Sequence, residues 1–410
     1  MSDFAIETSK LSSGALDSQK VIDQALTTVR QHLGMHVAYL SEFVDGQSVF
    51  RNVDAPGLED LIKVGDSRSL EDVYCKHILE GRLPEMIPDT AAEPIAAAMP
   101  ITKAVPIGSH MSIPILLESG EPFGMFCCLS PEPNHSLNSR DLETMRIFAN
   151  LAANQVNHDH AAQQTLREKK TSIESALQTR AFNIAYQPIV DLGEMRPAGY
   201  ESLCRFSAEP YRTPDLWFHD AADAGLSVEL ELAAIQQALE AMPWLEAHQY
   251  LSINASPSTV VSDAFVDTMT ATPLSQVVLE ITEHAIVDDY DRLTGAIDAL
   301  RERGMRLAVD DAGAGHSSLR HIVQLSPEFI KLDMSLTRNV DKDLARRALV
   351  GALMFYTRET SAQIIAEGIE TEAELETLKL LGVRRGQGYL LGKPSFDQFE
   401  TAKPKSMGNA

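Results

Sequence analysis

Between residues 181 and 402, short apolar runs alternate with stretches of helical pattern, and this rhythm limits the fold more than any other feature. The runs are IAYQPIV, AGYESL, YLSIN, VVLEIT, RLAVDD, EFIKLD, QIIAEG and RGQGYL, with helical patterns at 219–241, 286–303, 341–358 and 371–381. About eight strand–helix units in roughly 230 residues is the arithmetic of a (β/α)8 TIM-like barrel. Polar or charged residues stand in or just past these runs: Gln187, Glu201, Asn254, Glu280, Asp310 with Asp311, Lys331 with Asp333, Glu367 and Gln387. In such a barrel the C-terminal ends of the strands share one face, which would gather these acids within a few ångströms. Bare, that much negative charge repels itself and draws protons onto the carboxyls. Bound divalent cations relieve it. A single acid at a strand end more often caps a helix or faces solvent; a ring of them does not.

All-oxygen donors suit hard ions such as Mg²⁺, Mn²⁺ or Ca²⁺ rather than zinc. Adjacent Asp310 and Asp311 let one carboxylate bridge two ions, the arrangement used for in-line phosphodiester cleavage, and Lys331, the one cation of the ring, suits an attacking water.

The N-terminal third has a different pattern. Apolar positions from Val21 to Leu33 recur at helical spacing, and MHVAYLSEF, MSIPILL and FGMFCCLS alternate as strands. The last two flank a turn-rich Glu118–Pro122 and predict a hairpin. Asn138 or Ser139 opens a long helix with Leu142, Met145, Phe148, Leu151 and Ala152 on one face. Residues 17–155 therefore read as an α+β domain. A polar tail (1–16) precedes it, a helical connector (156–180) joins it to the barrel domain (181–402), and a short tail (403–410) ends the chain.

Composition narrows the partners. Against 35 Lys+Arg stand 58 Asp+Glu, a formal charge of −23 over 410 residues, which disfavours binding to polymeric nucleic acid. Cys75, Cys127, Cys128 and Cys204 are too few and badly spaced for a disulfide framework or a zinc site. The first residues lack a basic segment and an apolar core, and no run reaches the length of a membrane span, so a cytoplasmic protein with no membrane association is expected.

At the acidic residues the chain resembles the EAL-domain cyclic-di-GMP phosphodiesterases. AYQPIVDLGEMRPAGYESLCRF looks like the family's opening block, with Glu201-Ser202-Leu203 at the Glu-Ala-Leu position. INAS, LEITE, DDAGAGHSSL, FIKLD, AEGIE and GQGYLLGKP come next in the family's order, over about 170–400. The resemblance implies that Glu201, Asn254, Glu280 and Asp310 hold one metal, and Asp310, Asp311 and Glu367 the other. It implies that Lys331 hydrogen-bonds the attacking water and that Glu283 anchors the loop after Asp311. Gln187, Arg205 and Gln387 would contact substrate, and the product would be linear pGpG. Mg²⁺ or Mn²⁺ would serve, with Ca²⁺ expected to inhibit. Ser202 replaces the usual Ala, Ala312 the usual Phe and His316 the usual Tyr; the last two leave the loop after Asp311 without its aromatic anchors. The alternative is a catalytically weak or inactive cyclic-di-GMP receptor that signals to a protein partner.

The first domain resembles the GAF sensor modules on the hairpin MSIPILLESGEPFGMFCCLS. That implies an unidentified small ligand there, regulation of the barrel and a homodimer. Cys75 near His77 invites a chromophore attachment site, although a packed thiol is the plainer reading. Cys127 and Cys128, adjacent in a strand, should face opposite ways.

Overall fold

A computed structural model describes residues 19–209, 211–282, 287, 289–313 and 318–399. The chain divides between Leu166 and Arg167 into two compact units. The helix Ser139–Thr179 starts on an Asn138 cap, whose Oδ1 accepts from the Arg140 amide at 2.9 Å, and runs through the predicted connector. Among the described residues no helix is long and apolar enough to cross a membrane.

The N-terminal unit is a six-stranded antiparallel sheet. Its strands are β1 Val37–Val44, β2 Gln47–Asp54, β3 Ser67–Ser69, β4 Met86–Ile87, β5 Ser109–Leu116 and β6 Pro122–Ser130, in the order β3-β2-β1-β6-β5-β4. Asp45 and Gly46, both at positive φ (49° and 75°), turn β1 into β2, the backbone a two-residue hairpin requires. Strand periodicity sorts the side chains onto two layers. Leu40, Ile113, Phe126 and Cys128 lie under residues 19–33 and the start of the long helix. Tyr39, Phe50, Cys127 and Leu129 lie under the short helices Tyr74–Leu79, Pro94–Ala98 and Pro100–Ala104. Cys127 and Cys128 thus face opposite ways, as expected.

The C-terminal unit is a closed barrel of eight strands: β7 Phe182–Asp191, β8 Arg196–Phe206, β9 Tyr250–Asn254, β10 Val277–Thr282, β11 Arg306–Ala312, β12 Phe329–Leu332, β13 Gln363–Ala366 and β14 Arg385–Gly386. All eight apolar runs supply a strand, but the strict strand–helix repeat needs correction. β7 turns directly into β8 as an antiparallel hairpin and also closes antiparallel on β14, so no helix separates the first pair. The helix expected over 219–241 is two, Pro214–Asp223 and Ser227–Leu239, broken where Gly225 takes φ +69°. The patterns at 286–303, 341–358 and 371–381 become Tyr290–Arg301, Leu344–Thr360 and Glu372–Leu381, the last opened by a capping box of Thr371 and Glu374.

Parallel register then sets the rim. Asn254 pairs with Glu280, and Asp310 stands two residues beyond Ala308, the partner of Glu280 on the next strand, so all three sit toward the same end of the barrel. Below them Tyr250, Val278, Ala308, Phe329 and Ile365 fill the interior with apolar volume. At the closure, Gly388 lets the chain press on β13's continuation: a Cβ there would stand 2.2 Å from both Ile369 N and O. Gly388→Ala should cost about 1–3 kcal/mol by overpacking and lower the melting temperature by about 2–4 °C per kcal/mol. Gly295→Ala, in a helix with nothing within 4 Å of the added methyl, should be neutral or stabilising. Equal thermal shifts in the two variants would contradict this packing.

Candidate active site

Lys331 rises from β12 into the centre of the rim, almost fully buried. Its ammonium stands 2.8 Å from Glu280, 2.8 Å from Glu367, 3.0 Å from Asp310 and 3.4 Å from Glu201. A lone ammonium in this position would carry a desolvation penalty of several kcal/mol. Burial opposes its charge, but Asp310, Glu201, Glu280 and Glu367 outweigh that and hold its pKa well above the ordinary lysine range.

The acids do not share this cation equally. Burial lifts Glu280 to about 8, the lysine opposing and Glu201 and Asp310 adding to the rise. Glu367 is raised well above the usual carboxylate range for the same reasons. Glu201 goes the other way. Burial would raise it, but Lys331 and hydrogen bonds from Gln387 and Asn254 keep it below its ordinary value. Gln387 Nε2 bridges Glu201 Oε2 (2.5 Å) and Gln187 Oε1 (2.8 Å). Ser252, fully buried on β9, donates to Glu280 Oε1.

Two groups of carboxylate oxygens lie within 4.8 Å of one another, Glu201–Glu280–Asp310 and Asp310–Asp311–Glu367, with Asp310 common to both. Asp311 reaches its group from φ +57°, and its amide donates to Asp310 Oδ1 at 3.0 Å. At this spacing each pair of ionised carboxylates repels by about 3–4 kcal/mol at an effective dielectric near 20. Five carboxylates against one ammonium leave four uncompensated negative charges when all are ionised, the charge that two divalent cations carry. The donors are all oxygen. The residues present therefore fit hard cations, and the overlap at Asp310 fits two.

Arg205 is close by but in a different compartment. It lines a cleft of about 370 Å³ beside Asn254, together with Phe218, Glu231, Ile235 and Ser256. Its Nη1 donates to the Cys204 carbonyl at 2.8 Å. Glu231, not anticipated from the sequence, accepts from the Ser256 amide and hydroxyl and has its pKa raised by burial. Its one signal, an acid in the otherwise apolar face of ELELAAI, reads equally as a helix surface. Ser252 was also missed, because a serine inside a strand carries no pattern. Asp333, grouped with the strand-end acids, instead caps Met334–Thr337 by accepting from the Ser335 amide at 2.9 Å. Glu283 and His316 lie outside the described residues.

A closed eight-stranded barrel with an all-oxygen donor rim is the class that fold and site define. The chain belongs to the EAL-domain family, whose model matches residues 170–394, more than half its length. A GAF domain model matches residues 15–156. A protein of Pseudomonas aeruginosa named a cyclic di-GMP phosphodiesterase is 30% identical over 250 residues, covering 57% of this chain and 42% of its own. The probable cyclic di-GMP phosphodiesterase PdeB of Escherichia coli is 30% identical over 233 residues, 54% of this chain and 44% of its own. The chain thus spans less than half the length of these relatives. The structure of the PaMucR phosphodiesterase in complex with c-di-GMP aligns over 56% of this chain and 97% of its own, with 28% identity and a TM-score of 0.51. An EAL enzyme solved with cAMP bound aligns over 90% of this chain and 93% of its own at 19% identity and a TM-score of 0.54, a likeness of fold.

The raised acids tie stability to pH. The folded chain keeps the Glu280 proton that the unfolded chain, with an ordinary carboxyl near 4.5, releases. Stability of metal-free protein should therefore fall as pH rises between about 4.5 and about 8, by up to about 1.4 kcal/mol per pH unit for one proton. Thermal melts of chelator-treated protein across that window should show a shallower slope in Glu280→Gln. An unchanged slope would contradict the assignment.

Proposed function

We propose that this chain hydrolyses cyclic-di-GMP to linear pGpG with two divalent cations, under the influence of its GAF domain. The observation that carries the reading is the pair of overlapping oxygen triads on a barrel of the EAL family. Glu201, Asn254, Glu280 and Asp310 would hold one ion, and Asp310, Asp311 and Glu367 the other. When bound, the ions supply the charge stabilisation that an in-line displacement at phosphorus needs and activate water.

The protein's own groups do the rest. Lys331, held by four carboxylates, presents N–H donors at the centre of the rim and would orient the attacking water there. Gln387 has a buried Oε1 without a partner, a free acceptor beside Glu201 for a substrate hydroxyl or amine. Gln187, which binds the Gly392 carbonyl at 3.0 Å, fixes the amide of Gln387. In the adjoining cleft Arg205 suits a phosphate oxygen, while Phe218 and Ile235 offer apolar walls to a purine. Binding of the ions would displace the protons held on Glu280 and Glu367, since metal ligation requires the ionised carboxylate.

The purified chain should convert cyclic-di-GMP to pGpG in Mg²⁺ or Mn²⁺. Glu201→Ala should lose more than about 100-fold, beyond the 10–100-fold typical of outer-shell changes. Ca²⁺, larger and looser in geometry, should inhibit. Binding that persists without turnover in saturating Mg²⁺ and Mn²⁺ would favour the receptor reading instead. The proposal extends to a homodimer and a small ligand on the N-terminal domain. Removing residues 1–155 should change the turnover rate without abolishing it, and an unchanged rate would count against regulation by that domain.

A further inference from the structure

At the end of the barrel opposite the acidic rim stands a second group of side chains, which the reaction does not use. Tyr250, Arg306, Phe329 and Arg385 are the first residues of β9, β11, β12 and β14. Asn254, Asp310, Lys331 and Gln387 follow them by two or four positions, so strand periodicity turns these four to the same inner face, nearer the other mouth. The Tyr250 and Phe329 rings stack with centroids 5.6 Å apart. The Arg306 guanidinium carbon stands 4.9 and 5.4 Å from those two centroids, and that of Arg385 stands 5.3 and 4.8 Å from them. Distances to a shared ring pair hold the two guanidinium carbons within about 8.5 Å of each other, a gap that one tetrahedral oxyanion spans when it accepts from both.

These two charges are uncompensated. The chain carries 58 acids, yet among the described residues no carboxylate pairs with Arg306 or Arg385. Glu328, next to Phe329 in the chain, is engaged elsewhere: it ion-pairs with Arg301 Nε at 3.2 Å and accepts from the Leu307 amide at 2.7 Å. Arg385 Nη1 and the Tyr250 hydroxyl are both buried without a hydrogen-bond partner, and Tyr250 as a whole is 1% exposed. Burial pushes the Tyr250 phenol up to about 12, so it keeps its proton and can donate. The ring faces attract the guanidiniums but offer their N–H groups no ordinary acceptor. A water would bring two donors of its own and no charge, whereas an anion only accepts and also neutralises. Both arginines are half-buried, which leaves this mouth open to an ion from solvent.

We propose that this mouth of the barrel binds one small inorganic oxyanion, of the size and charge of phosphate or sulfate, between Arg306, Arg385 and the Tyr250 hydroxyl. Its oxygens accept from both guanidiniums and from the phenol, and no bond is made or broken. The ion ties β11 to β14, the two-residue strand that closes the barrel on β7. The acids of the rim repel such an ion. The two ends of the barrel therefore take ions of opposite sign.

The test reads binding and melting, not turnover, and so stands or falls separately from the phosphodiesterase reading. Inorganic phosphate titrated calorimetrically into the purified chain, dialysed free of metal and chelator at low ionic strength, should fill one site that sulfate competes for. It should also raise the melting temperature, by about 5 °C at a hundredfold excess over its Kd. Arg306→Met and Arg385→Met should each abolish that site. Tyr250→Phe removes only an orphaned hydroxyl, so the phosphate-free protein should melt no lower, while phosphate should bind about tenfold more weakly. Arg384→Met, one residue away and exposed, should bind as the wild type does. No binding at millimolar phosphate, or an affinity unchanged in Arg385→Met or in Tyr250→Phe, would overturn the proposal. GMP that binds with the same dependence on Arg385 would overturn the assignment to a free ion.

Discussion

The buried ammonium of Lys331 is the constraint around which the barrel's rim is arranged. Four carboxylates lie within 3.4 Å of it, and one positive charge cannot satisfy them all. The remainder is met by protons on Glu280 and Glu367 and by hydrogen bonds to Glu201. Each device is one that a divalent cation replaces. A divalent cation entering this rim would therefore compete with protons and with the lysine, and would bind more tightly as pH rises toward the Glu280 titration. A rim of fully paired acids would have no such capacity.

Barrel geometry makes that crowding possible. Glu280 and Asp310 come from neighbouring parallel strands, Asp310 two residues beyond the partner of Glu280, while Lys331 comes from β12 and Glu367 from the residue just past β13. The antiparallel β7 contributes differently. It pairs Gln187 with Glu201 directly across the hairpin, so the amide pair Gln187–Gln387 supports Glu201 from the barrel seam. Side chains held on strands lose little entropy on binding an ion, since their positions are fixed by the sheet.

The barrel was legible because its strands combine apolar runs with polar residues at repeating places, a two-part signal that few other folds produce. The acids that gather at the rim were readable for the same reason. The features hidden from the sequence depend on contacts distant in the chain. The β7–β8 hairpin looked like two strand–helix units because periodicity says nothing of direction. β2 was overlooked although Asp45-Gly46, a strong hairpin signal, sits between two alternating runs. Ser252 and Glu231 were silent, since their roles arise only when β9 meets β10 and the helix Ser227–Leu239 meets the Ser256 turn.

The departures from the family's usual residues can be weighed against their surroundings. The Ser202 hydroxyl, which a Glu-Ala-Leu motif lacks, donates to the Ser252 carbonyl at 2.7 Å. Ser252 in turn donates its own hydroxyl to Glu280. The extra polar atom is thus satisfied, and it fastens β8 to the strand whose serine orients a candidate ligand. A buried hydroxyl with a partner contributes about 1 kcal/mol, whereas an orphaned one would cost a similar amount or more. Ala312 is a different case. It is buried beside Leu332 and Leu336, and the neighbouring Gly313 has no room for a Cβ because Leu336 Cδ1 would be 2.3 Å away. Ala312 and Gly313, the two described residues after Asp311, are therefore packed closely against aliphatic side chains. Ser202 thus adds a tie between β8 and β9 beside the acidic rim, whereas Ala312 fills its place with a small apolar side chain, and neither substitution removes a carboxylate from the rim.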